Sequence, residues 1–225
     1  MYDEKNTKYF GNVRKELLSL IPEENRNGDL LEIGAGNGNT LLYAQENGYA
    51  KNIYGIELFE IEDSNQNSDL FSDFVIGDIE KIPFPFQKSK FDVILLGDVL
   101  EHLIDPYTTL KNLKQYLKDD GVIVASIPNI REWNTMKSIF FKGDFKYEES
   151  GILDKTHLRF FAKKNIIDLF EDNDFNILKI IGSNRKFVQK YIRRLQFFRL
   201  LMLLIFDEFM NTQYFVVANK HNKID

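Results

Sequence analysis

Short apolar runs alternate with amphipathic stretches along the chain. Asp29–Ile33 (DLLEI), Asn52–Glu57 (NIYGIE), Phe74–Ile76, Phe91–Leu96 (FDVILL) and Val122–Ile127 have the length and composition of strands. Between them lie segments with helical spacing: Val13 to Ile21, ended by Pro22, and Thr40 to Asn47, stopped by Gly48. In a third, Tyr107 to Lys118, Leu110, Leu113 and Leu117 share a face and Gly121 follows as a cap. This alternation predicts βαβ units and a mainly parallel sheet covered on both faces. The rhythm breaks after Pro128, where a long aromatic and charged segment precedes the next helix, Lys163 to Glu171. A loop of that length in a compact domain is functional or carries small elements of its own. The rest reads strand (Phe175 to Ile181), helix (about Lys186 to Met210), strand (Gln213 to Ala218).

The 225 residues suit one domain with a core large enough to need no disulfide or structural metal. The absence of cysteine excludes a thiol nucleophile, a Cys-ligated zinc and an iron–sulfur cluster. A net charge of −5 argues against nucleic acid as the main partner. The polar start, MYDEKNTKYFGNVRKELL, lacks the apolar core of a signal peptide, which predicts a cytoplasmic protein. No uncharged apolar run reaches the length of a membrane span.

The strongest local signal is LLEIGAGNGNT, residues 30–40, where a strand runs into glycines at 34, 36 and 38 and then a helix. Glycine lets the backbone turn sharply and approach a ligand, and in an open parallel sheet this turn lies where ligands bind. The plain alternative is a tight turn. A dinucleotide fingerprint needs a glycine where Asn39 stands, and no G-K-[ST] follows for a P-loop. Two acids follow at strand ends: Glu57, placed to accept ribose hydroxyls, and Asp78, placed to accept from an adenine amino group.

Together with GDIEKIPFP, FDVILLGDVLEHLIDP and LKDDGVIVASIPN, these segments follow the order and spacing of a known family. The chain resembles the class I S-adenosylmethionine-dependent methyltransferases. The resemblance implies a Rossmann-like α/β fold whose seven-stranded, mostly parallel sheet has its last strand antiparallel. It implies one domain over residues 1–225: a cofactor-binding half (1–128), an acceptor-side insertion after strand 5 (129–161) and C-terminal helices and strands (162–225). S-adenosyl-L-methionine would be held by Glu32, Gly34, Ala35 and Gly36 at its methionine part. Glu57 and Leu58 would hold its ribose, Asp78 and Ile79 its adenine, and Gly97 and Asp98 would line the floor beneath the sulfonium. Helix 186–210 is longer than the hairpin the family often has there.

Methyl transfer from a sulfonium needs alignment of the nucleophile, and a hydroxyl acceptor gains from a nearby base. His221 lies in a polar tail where fraying is expected, so His102 and His157, with Asp98, are the catalytic candidates. His102 could instead support the cofactor pocket, and His157 could be a packed loop histidine. Arg159 is the candidate clamp for an anionic acceptor group, with Trp133 and Asn129 as further substrate contacts. The insertion resembles the subgroup encoded with bacterial surface-polysaccharide genes, which implies O-methylation of a sugar or nucleotide sugar. N-methylation of an amino sugar, amide or amine is the alternative, and a non-catalytic cofactor-binding partner is the alternative of another class. No metal is expected, because the neighbours Glu101 and His102 would point about 100° apart on a helix. Tyr2, Tyr9, Phe10 and Arg14 could fold over the cofactor. The stripe Phe187, Tyr191, Leu195, Phe198, Met202, Ile205 and Phe209 reads as core or a homodimer contact, with a membrane surface as the lesser alternative.

Overall fold

The computed structural model describes residues 12–183 and 208–221. Among these, seven strands form one sheet: β1 (Gly28–Ile33), β2 (Ala50–Glu57), β3 (Asp73–Ile76), β4 (Phe91–Gly97), β5 (Leu117–Pro128), β6 (Phe175–Gly182) and β7 (Gln213–Lys220). Their order is β3-β2-β1-β4-β5-β7-β6. β1 pairs in parallel with β2 and β4, and β7 runs antiparallel between β5 and β6. The helices are α1 (Lys15–Leu18), α2 (Asn39–Glu46), α3 (Pro106–Lys114), α4 (Trp133–Lys142) and α5 (Lys163–Glu171).

The central strands are buried on both faces because each feeds two cores. Ile94 and Leu96 of β4 join the core on one face, with Leu110 and Leu113 of α3 and Ile166, Leu169 and Phe170 of α5. Val93 and Leu95 face the other way, toward Leu17 and Leu18 of α1 and Leu41 and Ala44 of α2. The alternation follows from the two-residue period of a strand, which is why FDVILL is apolar throughout. The chain lays β2 and β3 on one side of β1, then β4 and β5 on the other. That reversal opens a crevice at the carboxyl ends of β1 and β4, where such sheets bind ligands.

Several boundaries depart from the sequence expectations. The predicted helix over 107–118 ends at Lys114, and Leu117 begins β5 by pairing with Phe91. Gly121 is therefore a strand residue rather than a helix cap, and a Cβ there would stand 2.8 Å from the Phe91 carbonyl oxygen. Asp105 caps the start of α3 by accepting from the Thr108 N–H (3.0 Å), with Pro106 at the first helical position. The segment Val13 to Ile21 is helical only over Lys15–Leu18. His221 follows β7 and is tied down rather than frayed, its N–H donating to the Asp174 carbonyl (2.9 Å). Of helix 186–210, all but its last turn lies outside the described residues, as do Tyr2, Tyr9 and Phe10. Among the described residues no helix is long and apolar enough to cross a membrane.

Asn129 follows β5 and is fully buried. Its side-chain amide donates to the carbonyls of Glu208 (2.6 Å) and Asn211 (2.8 Å), while its Oδ1 accepts from the Arg131 N–H (3.1 Å). The side chain thus ties the end of β5 to the segment that enters β7, and its polar atoms are spent there. Asn129→Ala removes both of these donated hydrogen bonds and should cost about 1–3 kcal/mol of stability. Trp133→Ala, at a position 45% exposed, should change stability by no more than about 0.5 kcal/mol. Denaturant titration of the two variants checks both values.

Candidate active site

The glycine turn is shaped by its hydrogen bonds to β2. The amides of Gly34 and Ala35 both donate to the Ile56 carbonyl (2.9 and 3.1 Å). Gly34 and Gly36 have φ of +69° and +56°, the left-handed region that glycine enters without cost. A Cβ on Gly34 would also lie 2.8 Å from Val99. At the end of β2, Glu57 accepts from the amides of Gly36 and Leu58, each at 2.7 Å. Burial raises the Glu57 carboxyl above its ordinary pKa, and these amides partly offset the rise. Glu57 therefore holds the turn in place.

A cavity of about 260 Å³ opens at the carboxyl ends of β1, β2 and β4. Glu32, Gly34, Ala35, Gly36, Glu57, Leu58, Asp78, Ile79, Gly97, Asp98 and His102 all line it. Glu32 is 2% exposed and its Oε2 has no hydrogen-bond partner. Burial pushes its carboxyl up to about 8, against the opposing charge of Arg14. Asp98 sits at φ +55°, accepts from the Ser126 hydroxyl (2.6 Å) and is ion-paired to Arg14. Arg14 lies so close over β4 that a Cβ on Gly97 would meet its Cδ at 2.7 Å. Partial burial would raise the Asp78 carboxyl, but the Lys81 ammonium (2.6 Å) and the Glu80 amide hold it below its ordinary value.

Thr40, Glu80, Leu103, Ile104 and Leu158 also line the cavity and were not singled out in the sequence. Glu80 has a local purpose: its carboxylate accepts from the amides of Ile104 (3.0 Å) and Asp105 (2.7 Å), fixing the loop after β4.

The insertion reaches this loop through the backbone. The Glu101 carbonyl accepts from the amides of Leu158 (2.8 Å) and Arg159 (3.0 Å). This brings His157 against His102, ring to ring, with centroids 4.7 Å apart and an interplanar angle of 71°. His102 Nδ1 faces the Thr156 carbonyl (3.1 Å) and hydroxyl (3.2 Å), and that hydroxyl donates to Asp154 (2.7 Å). With the Thr156 proton committed to Asp154, Nδ1 is the protonated nitrogen of His102 and Nε2 carries the lone pair. His157 has the same arrangement, its Nδ1 donating to the Ile152 carbonyl (2.9 Å).

His157 is 6% exposed and stands behind His102 rather than in the cavity wall. Its Nε2 is 4.0 Å from Oε1 of Glu101. Glu101, which sequence reasoning dismissed as a chelating residue, is 1% exposed, and neither carboxylate oxygen has a hydrogen-bond partner. Burial and then the charge of Asp98 raise its carboxyl well above the ordinary range. Glu101 and His102 sit in a 3₁₀ turn, Leu100–His102, which spreads neighbours by about 120°. A ligand atom of each nonetheless lies within 4.8 Å of the other, and His157 supplies a third group from the insertion. The DxxEH spacing followed by a later histidine was the available signal.

The three acceptor candidates are dispersed. Arg159 is exposed and donates to the Ile104 carbonyl, at the rim of the cavity. Trp133 begins α4 on the surface, and Asn129 is occupied in the fold as described above.

A model of the methyltransferase domain family matches residues 4–180. The chain is 26% identical to an uncharacterized protein, MJ1252, of Methanocaldococcus jannaschii over 192 residues, 79% of this chain and 72% of that one. Its fold is similar to Burkholderia thailandensis 1,6-didemethyltoxoflavin-N1-methyltransferase, solved with bound 1,6-didemethyltoxoflavin and S-adenosylhomocysteine. The TM-score is 0.64 at 14% identity, covering 98% of this chain and 84% of that one. An S-adenosylmethionine-dependent methyltransferase from Mesorhizobium loti gives a TM-score of 0.62 at 15% identity, over 92% and 96% of the two chains. The glycine turn, the reversal in strand order and the antiparallel last strand thus belong to a chain of the methyltransferase domain family, with the class I, S-adenosylmethionine-dependent fold.

Proposed function

We propose that the protein transfers the methyl group of S-adenosylmethionine to an oxygen of a sugar or nucleotide sugar, a precursor of a surface polysaccharide. When bound, the cofactor supplies an electrophilic methyl group on a sulfonium. The cavity suits it. The unpartnered Oε2 of Glu32 fits the cationic amino group of the methionine part, and Glu57 and Asp78 stand at successive strand ends for the ribose and the adenine.

The single observation that carries the oxygen acceptor is His102 in the cavity wall, its lone pair assigned to Nε2 through Asp154 and Thr156. As the acceptor oxygen bonds to carbon and the carbon–sulfur bond breaks, the hydroxyl proton must leave, and imidazole chemistry at that wall assists it. Arg159 at the rim gives the acceptor's phosphate a planar, forked partner. Insertion aromatics such as Phe145 and Tyr147 stay partly exposed beside it.

Glu32 yields a pH prediction. Its folded-state value of about 8 exceeds the ordinary 4.5, so its protonated form contributes stability that is present below pH 4.5 and lost as pH rises through 8. Unliganded protein should therefore soften over that window, and Glu32→Gln should remove this part of the slope. A cationic cofactor should ionise Glu32 and release a proton. Calorimetry of S-adenosylmethionine binding at pH 7, in buffers of different ionisation enthalpy, should show that release, and Glu32→Gln should abolish it while weakening binding by about 10–100-fold.

His102→Ala should lower kcat by about 10²–10⁴-fold, with S-adenosylhomocysteine affinity in calorimetry essentially retained. A panel of sugars, nucleotide sugars and amines, followed by NMR of the product, tests the acceptor class. An O-methyl product from a nucleotide sugar is expected, with Arg159→Ala raising KM for it by about tenfold. Methylation of the amines alone would overturn the oxygen assignment.

A further inference from the structure

Two histidines and a buried carboxylate meet behind the cavity wall, and each already has the second shell that a metal ligand needs. One ligand atom from each of Glu101, His102 and His157 lies within 4.8 Å of the others. Both imidazoles direct Nδ1–H at a backbone carbonyl, Thr156 for His102 and Ile152 for His157. That arrangement fixes the ring and leaves Nε2 as the coordinating nitrogen. Both carboxylate oxygens of Glu101 are buried without a hydrogen-bond partner, 4.0 Å from His157 Nε2 at the nearer one. A carboxylate in that state is costly unless a cation meets it. Arg14, whose charge acts on it, is ion-paired to Asp98. Asp98 and Asp154 add further negative charge around the cluster.

The geometry points to a divalent transition-metal site formed by Glu101, His102 and His157. Two neutral imidazoles and one carboxylate suit zinc or manganese and leave coordination positions open. With bonds of about 2.1 Å, ligand atoms on a tetrahedral ion lie about 3.4 Å apart, so groups now as much as 4.8 Å apart close by up to about 1.4 Å on binding. Because His102 also lines the cavity, an ion held there faces the acceptor. For the role of the ion, the inference rests on the oxygen-acceptor reading. With the ion on Nε2, His102 is a ligand rather than the base. The ion lowers the pKa of a coordinated acceptor hydroxyl, whose proton passes to solvent, and orients the oxygen toward the methyl group. Binding of the ion rests on the ligand geometry alone.

The test uses the chelator-stripped protein with Mn²⁺ as the probe and no acceptor present. One equivalent of Mn²⁺ is expected to bind saturably, with pulsed EPR showing ¹⁴N coupling from two imidazoles. Glu101→Gln and His157→Gln should each weaken binding by at least tenfold, whereas Asp174→Asn, at a carboxylate outside the cluster that is ion-paired to Lys114, should leave it unchanged. S-adenosylhomocysteine binding by the variants verifies their fold. The inference is overturned if wild-type protein binds no Mn²⁺ saturably, if the bound ion shows no ¹⁴N coupling, or if both ligand variants bind as wild type does. Failure to methylate sugars would overturn the acceptor reading and leave these metal measurements standing.

Discussion

Carboxylates removed from water at the ends of parallel strands are the constraint around which this site is organised. Glu32, Glu57 and Glu101 are all buried there, and each would be expensive as an isolated anion. Glu57 is answered by the Gly36 amide of the glycine turn and by the amides of Leu58 and Phe59, so the turn and the acid stabilise each other. Asp98, less buried, is answered by Arg14 and Ser126. Among the described residues, Glu32 and Glu101 keep oxygens without a hydrogen-bond partner. In a native interior, unsatisfied polar atoms of this kind mark places where a ligand completes the structure.

The two unsatisfied acids divide the site. Glu32 ends β1 beside the glycine turn and belongs to the cofactor side. Glu101 lies after β4, where its own carbonyl receives the backbone of the insertion through Leu158 and Arg159. Those bonds decide which histidine faces the cavity. They place His157 behind His102, so one ring meets the cavity and the other buttresses it. The wall of the cavity and the anchoring of the insertion are therefore one piece of architecture.

What could be read along the chain was what depends on near neighbours in sequence. Strand runs such as FDVILL, the turn GAGNG and the acids at strand ends combine local periodicity with a backbone requirement for glycine, and the cavity gathers all of them. Helix 107–118 was overextended because Leu117 fits the apolar face of α3 as well as the first pair of β5. Pairing with Phe91 settled the matter. Asn129 looked like a substrate contact because it follows β5, yet its partners, Glu208 and Asn211, lie far away in the sequence. The grouping of Glu101 with His102 and His157 is not legible locally, because His157 comes from the insertion more than fifty residues later.

The alternation of strands and helices, the sharp turn after β1 and the exclusion of thiol chemistry follow from periodicity, glycine and composition along the chain. Tertiary structure alone decided the meeting of Glu101, His102 and His157, the pairing of Arg14 with Asp98 and the dispersal of Asn129, Arg159 and Trp133. The physical reason is that burial and hydrogen-bond satisfaction are set by groups distant in sequence. No local pattern records which carboxylate is left without a partner once the chain has closed.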